Sequence, residues 1–346
     1  MINVGIVGVG FMGWIHWLAY QNVRGMRVTA IHTRDKKKLS GDWRGIQGNF
    51  GPPGEKVDVS KLACHKTFAD LLADPKIELV DLCLPPHLHV EATIEALRAG
   101  KHVLVEKPMA LTPADCSRMV RTAEKVSRQV FVGHVLPFFP EYAHARKLIE
   151  SGKYGKLLGG NFKRVISDPL WLKDFYDPER VGGPLVDLHV HDAHLIRMLF
   201  GMPRSVTSQG RMRGEVVEHC NTLFAFEDPS IGVCATSGVV NQQGRSFTHG
   251  FEIHLEKATM QYEFAGFSDT GELMPLKILT EKGKVLRPSL GDGDPTTAFV
   301  GELKEIANAI GKNQPSAILS GDLARDAIVL CHKQTESVRK GKTIRV

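Results

Sequence analysis

The chain has 346 residues, 42% hydrophobic and 24% charged, with 44 Lys and Arg against 38 Asp and Glu for a formal charge of +6. That length suits one large or two ordinary domains with a substantial core, and the composition excludes a disordered or fibrous chain. The modest, dispersed positive charge argues against a nucleic-acid partner, and no apolar run reaches the ~20 residues that cross a bilayer.

Met1 leads almost directly into NVGIVGVG, a strand-like run that leaves no room for a signal or transit peptide, so the expected location is cytoplasmic. MRVTAIH, ELVDLCL, KHVLVEK and QVFVGH follow as buried strands. WIHWLAYQ, KTFADLLAD, HVEATIEALRAG and PADCSRMVRTAEKV lie between them with helical spacing. Strands alternating with helices imply parallel strands and a doubly wound α/β sheet over residues 1–133. GDWRGIQGNFGPPGEKVD, rich in Gly and Pro and without periodicity, reads as a long surface loop. Beyond residue 134 the runs LLGGNFKRVI, NTLFAFED, IGVCATSGVV, FEIHLEKATMQYEF and LKILTEKGKVLR follow one another with few helices between them. They predict a second, α+β domain over 134–346 with a large, mainly antiparallel open sheet. Helices around TAFVGELKEIANAI and GDLARDAIVLCHKQTESVRKG close it. The six cysteines (Cys64, Cys83, Cys116, Cys220, Cys234, Cys331) are scattered, as reduced thiols in a cytoplasm would be.

The first turn carries a specific signal. GVGFMG sets Gly8, Gly10 and Gly13 after an apolar strand and before a helical segment, the context that makes G-x-G-x-x-G a dinucleotide fingerprint. Gly8 permits the tight turn, Gly10 lets backbone approach a pyrophosphate, and Gly13 allows helix to pack on strand. Phe11 and Met12 belong to the same phosphate-facing helix start. After the second strand, where an NAD site usually has an acid for the ribose 2′-hydroxyl, the chain reads Thr33 and Arg34, with Lys36, Lys37 and Lys38 behind. That chemistry favours NADP over NAD, although Asp35 would serve NAD if the register slipped by two.

KHVLVEKPMALT, together with GVGFMGWIH, PPHLHVEATIEALRAGKHV and GGPLVDLHVH, resembles the glucose–fructose oxidoreductase / inositol 2-dehydrogenase / rhizopine-catabolism (Gfo/Idh/MocA) oxidoreductase family, in the same order over nearly the whole chain. The resemblance implies a Rossmann domain, a second domain whose sheet often mediates a homodimer or homotetramer, and a sugar, cyclitol or polyol substrate. It implies that Lys107 lies beside the nicotinamide and the substrate, with a cis peptide before Pro108. It also implies that Pro85, His89 and Glu106 line the nicotinamide half.

GGPLVDLHVHDAHLIRMLFG then matches the family's G-G-x-x-x-D-x-G-x-H-x-x-D, keeping Asp187 and His191 but with His189 for the glycine and His194 for the second aspartate. At about 100° per residue, Asp187, His191 and His194 fall in a narrow stripe while His189 and Asp192 point away. One helix therefore cannot gather all five around an ion. Three readings stand: His191 as proton acceptor with Asp187 orienting it or the substrate, a zinc site of Asp187, His191 and His194, or polar helix residues without chemistry. The resemblance favours the first, with no metal. Trp171, in DPLWLKDFYDPE, and His194 are candidate substrate contacts, whereas Pro137 stands where the family often has an arginine. The rival functions are a glycosidase or isomerase with retained NAD, and a non-catalytic NAD(P) or sugar sensor. A sensor has no need of Lys107, Asp187 and His191 together.

Overall fold

The computed structural model of the protein describes residues 1–291 and 293–346. It divides into two units, Met1–Phe139 with Asp292–Arg325, and Pro140–Gly291 with Asp326–Val346.

In the first unit the alternating pattern yields β1 (Ile2–Val7), α1 (Phe11–Tyr20), β2 (Met26–His32), α2 (Lys36–Leu39), β3 (Ala63–His65), α3 (Phe68–Ala73), β4 (Leu79–Leu82), α4 (His89–Arg98), β5 (His102–Glu106), α5 (Pro113–Lys125) and β6 (Val130–Gly133). All six strands run parallel in the order β3-β2-β1-β4-β5-β6, with the order reversing between β1 and β4. Val4, Ile6, Leu79, Val80, Val103, Leu104 and Val105 are fully buried, which is why these strands read as near-continuous apolar runs rather than alternating ones. Helix starts follow local chemistry. The Thr67 hydroxyl accepts from the Asp70 N–H at 3.1 Å, and Thr112 does the same for Asp115 at 3.1 Å ahead of Pro113.

The segment expected to be a long surface loop is without helix or strand and mostly exposed, and it is also anchored. A bridge between Asp42 and Lys56 closes it. Trp43 is completely buried, edge-on to both Trp14 and Trp17 of α1, and Ile46 and Val57 are buried with it. Its inward residues are irregularly spaced, so no periodicity reveals them.

The second unit begins with α6 (Pro140–Glu150) and β7 (Leu157–Ser167), then α7 (Val190–Phe200) and the strands β8 (Ser205–Arg213), β9 (Val216–Ala225), β10 (Gly232–Val240), β11 (Arg245–Leu255), β12 (Ala258–Phe267), β13 (Gly271–Thr280), β14 (Val285–Leu286) and β15 (Ile344–Arg345). The nine strands form one sheet, β14-β13-β12-β11-β7-β10-β9-β8-β15, antiparallel except for the β7–β10 pair. FEIHLEKATMQYEF, one run in the sequence, is a hairpin in which Leu255 pairs with Ala258 across a two-residue turn.

After this sheet the chain returns to the first unit. There α8 (Thr296–Lys312) packs on α1, and the Leu319 carbonyl accepts from the Val132 N–H at 3.1 Å beside a Phe131–Ser320 bridge. The last helix, α9 (Gly321–Lys340), follows. Among the described residues no helix is long and apolar enough to cross a membrane, and all six cysteines are free thiols.

Candidate active site

The carboxyl ends of the parallel strands collect the first group of candidate residues around the β1/β4 reversal, where open α/β sheets bind ligands. Gly8 has φ +95°, and a Cβ there would collide with the Cys83 carbonyl. A Cβ on Gly13 would collide with the Gly8 carbonyl, so helix and strand could not approach. Helix α1 opens at Gly10 without a side-chain cap or an acidic residue in its first turn. Its first intrahelical bond is Trp14 N–H to Gly10 O at 3.0 Å, which leaves the Phe11, Met12 and Gly13 N–H groups ahead of it, a donor set suited to a pyrophosphate. The anchored loop reaches this turn: the Phe50 ring meets Phe11 edge-on at 4.8 Å and stacks on Phe299 at 5.7 Å.

Beyond β2, Thr33 is half-buried and Arg34 exposed. Asp35 is committed as the cap of α2, its Oδ1 accepting from the N–H groups of Lys37 at 2.8 Å and Lys38 at 3.2 Å. Beyond β4, Pro85 is exposed, whereas His89 is completely buried. Its Nδ1 and Nε2 each lie 2.8 Å from a backbone carbonyl, those of Pro108 and Leu84. His89 therefore braces the backbone on either side rather than presenting its ring. At the end of β5 the Lys107–Pro108 peptide is cis, as the resemblance implies, and Lys107 is half-buried. The Glu106 Oε2 accepts from the Lys107 N–H at 3.1 Å, and its Oε1 lies 3.0 Å from His16 Nε2. His16 and Asp81 were not singled out by sequence reasoning. The available signal was an aspartate in the middle of a strand, β4, whose four residues are all buried.

In the second unit the stretch around Asp187 departs from a uniform α-helix. Leu185–His189 forms one turn of π-helix, with i→i+5 bonding, before α7 begins at Val190. The expectation of about 100° per residue therefore fails at its start. Between Leu185 and Ile196 every residue is buried except Asp187 and His191. Those two share the accessible side, while His194, expected in the same stripe, is fully buried. Asp192 is also buried, in a two-bond pair with Arg164 of β7 (Nε to Oδ2 2.7 Å, Nη2 to Oδ1 3.0 Å). Trp171 is 73% exposed beside exposed Leu170 and Leu172, and the Tyr176 hydroxyl donates to Asp168 at 3.0 Å.

Two buried rings of this unit make a pH prediction. Burial pushes His189 down to about 4, and burial, with Arg164 nearby, pushes His249 down to about 3. Both stay neutral in the folded chain, while histidines of the unfolded chain take protons below about pH 6.5. Their contribution is whole above that value and is lost as pH falls toward 4 and then 3. Denaturant titrations between about pH 7 and pH 4 are expected to show stability declining with acid, less steeply in His189→Asn. Equal slopes in the two proteins would remove His189 from that account.

The oxidoreductase-family profile with an NAD-binding Rossmann fold, GFO/IDH/MocA, matches residues 2–134, and the family's C-terminal domain matches residues 142–261. The 1,5-anhydro-D-fructose reductase of Ensifer adhaerens is 30% identical over 265 residues, 72% of this chain and 74% of the relative. The 2,7-anhydro-N-acetylneuraminate hydratase of Escherichia coli (strain K12) is 29% identical over 235 residues, 66% of this chain and 56% of the relative. The chain spans between 37% and 56% of the length of several curated relatives that it matches. The solved aldose–aldose oxidoreductase of Caulobacter crescentus shares the fold, with a TM-score of 0.79 at 20% identity over 100% of this chain and 99% of that one. A reductase and a hydratase at nearly equal similarity show that the fold alone does not name the reaction. With both family domains matched in order, the chain belongs to the GFO/IDH/MocA oxidoreductase family.

Proposed function

We propose that the protein is a nicotinamide-dependent dehydrogenase acting on a hydroxyl-bearing carbon of a sugar, cyclitol or related polyol. The observation that carries this reading is the accessibility of Asp187 and His191 alone within an otherwise buried run of helix. A half-buried histidine with an accessible face reaches a ligand at little cost to packing, and imidazole is a side chain suited to accepting a hydroxyl proton. In this reading His191 takes the hydroxyl proton, Asp187 orients that ring or the substrate, and Lys107 holds the hydroxyl and helps move its proton. The bound nicotinamide supplies the hydride acceptor. His194, being buried, supports α7 rather than the substrate.

NADP is the favoured cofactor. Asp35 already caps α2, so the residues left at the end of β2 to meet a ribose substituent are Thr33 and Arg34. Fluorescence titration is expected to show tighter binding of NADPH than NADH, with Arg34→Ala narrowing the preference by roughly tenfold. Equal affinities in the unaltered protein would return the site to NAD. Metal analysis of the same sample and of His191→Ala tests the acid–base reading: zinc present in the unaltered protein and lost in His191→Ala would put that histidine in a ligand role, whereas zinc kept in both would point to His16, Asp81 and Cys83. A homodimer or homotetramer belongs to the same proposal, and light scattering reads it.

A further inference from the structure

Behind the Glu106–Lys107 step of β5, the first unit buries a connected set of polar groups that the proposed chemistry leaves unused. His16 of α1 stands at its centre with no exposure. Its Nδ1 meets Asp81 Oδ2 at 2.9 Å, and its Nε2 is 3.0 Å from Glu106 Oε1. Asp81 also accepts from the Tyr20 hydroxyl at 3.0 Å, and Cys83 Sγ lies 3.5 Å from both the His16 ring and Asp81. From α8, the Phe299 ring closes over His16 at 5.8 Å, and Glu302 is fully buried with neither carboxylate oxygen hydrogen-bonded among the described residues.

The charges in this set determine what each member is. A ring with a carboxylate hydrogen-bonded at Nδ1 and a second at ion-pair distance from Nε2 is held as an imidazolium. Burial opposes that charge, but Asp81, with Cys83, more than offsets it and holds His16 well above the usual imidazole range. Glu302 goes the other way: burial, reinforced by Glu106 and Asp81 against the pull of His16, keeps it protonated. Glu106 is thus gripped at both oxygens, Oε1 by His16 and Oε2 by the Lys107 N–H. Gly133 leaves it room, because a Cβ there would stand 3.0 Å from Oε1.

We propose that His16 is a positioning residue, which, anchored by Asp81, fixes the Glu106 carboxylate and through it Lys107; this rests on the reading of Lys107 as a group that acts on substrate. The cation–anion alternation is the working part. Removing the charge of His16 leaves the neighbourhood of Lys107 more negative and makes its ammonium harder to deprotonate. A neutral ring of the same packing would not do this.

Two measurements on the full chain test it. In the unaltered protein, ¹⁵N spectra are expected to show His16 as an imidazolium between about pH 6 and pH 8, and a neutral ring there would overturn the proposal. Competitive labelling of Lys107 with acetic anhydride across pH, read by mass spectrometry, gives the titration of its amine without a substrate. In His16→Gln the midpoint is expected to rise by about half a unit to one unit, and in Glu106→Gln to fall by a similar amount. Midpoints unmoved in both variants would overturn it. Turnover of Lys107→Met judges the underlying reading separately: an active variant removes the lysine from catalysis whatever its titration, and an inactive one with an unmoved midpoint in His16→Gln removes only His16.

Discussion

Replacing His191 with alanine is expected to lower kcat by about 10²–10⁴-fold while leaving NADPH affinity within about twofold. The range is what a positioned proton acceptor contributes, roughly 3–5 kcal/mol of barrier. Cofactor affinity should hold because the fingerprint glycines and the helix start they create belong to the first unit, and His191 to the second. Folding should hold because His191 is half-exposed, so its loss opens no core cavity. His194→Ala is the internal control. That ring is fully buried, and its removal is expected to lower the melting temperature rather than act on kcat at a temperature where the variant is folded. Lys107→Met is expected to resemble His191→Ala, since on the proposed mechanism it removes the group that holds the hydroxyl and leaves the glycine turn intact. Steady-state rates with a polyol panel and NADP⁺ measure all three. Full turnover in His191→Ala would return Asp187 and His191 to the status of polar helix residues.

Much of the fold was legible because the first unit obeys simple periodicity. MRVTAIH is β2 residue for residue, and the alternation of strands and helices implies a parallel sheet without further information. What escaped has definite physical causes. Strand β3 is three half-buried residues, too short to form a pattern. The parallel β7–β10 pair joins segments more than sixty positions apart, a register that local spacing does not encode. TAFVGELKEIANAI reads as any amphipathic helix would. That it packs on α1, across an intervening sheet in sequence, depends on the shape of two surfaces.

The proposed site is legible where it is a motif and obscure where it is a neighbourhood. Gly8, Gly10, Gly13, Lys107, Asp187 and His191 stand in recognisable strings. His16, Asp81, Glu106 and Glu302 converge from four separate elements, and only the fold makes them neighbours. The helical-wheel argument set Asp192 apart from Asp187 and His191, and Asp192 is buried where those two are not. It grouped His194 with those two because angle alone does not show where along a stripe burial begins: one turn beyond His191 in the same α-helix, His194 is buried.

Asp192 supplies the largest expected effect on stability. Its carboxylate and the Arg164 guanidinium are 1% and 3% exposed and joined by two hydrogen bonds, so each charge depends on the other in a region without solvent. Burial opposes the charge on Arg164, and Asp192 more than offsets it. Asp192→Asn keeps the shape but leaves the guanidinium uncompensated, which is expected to cost about 3–5 kcal/mol. In a thermal melt that is a fall on the order of 10 °C. Arg164→Met combined with Asp192→Leu removes both charges and is expected to recover most of the loss, because well-packed apolar groups replace a buried pair at little penalty. The pair also ties β7 to α7 at the residue following His191. If His191 is the proton acceptor, as proposed, the double variant, though stable, is therefore expected to lose turnover by roughly tenfold or more, since small displacements of such a group are costly. Recovery of both stability and turnover would mean that the ion pair only fills space, and that His191 is held by the rest of its helix.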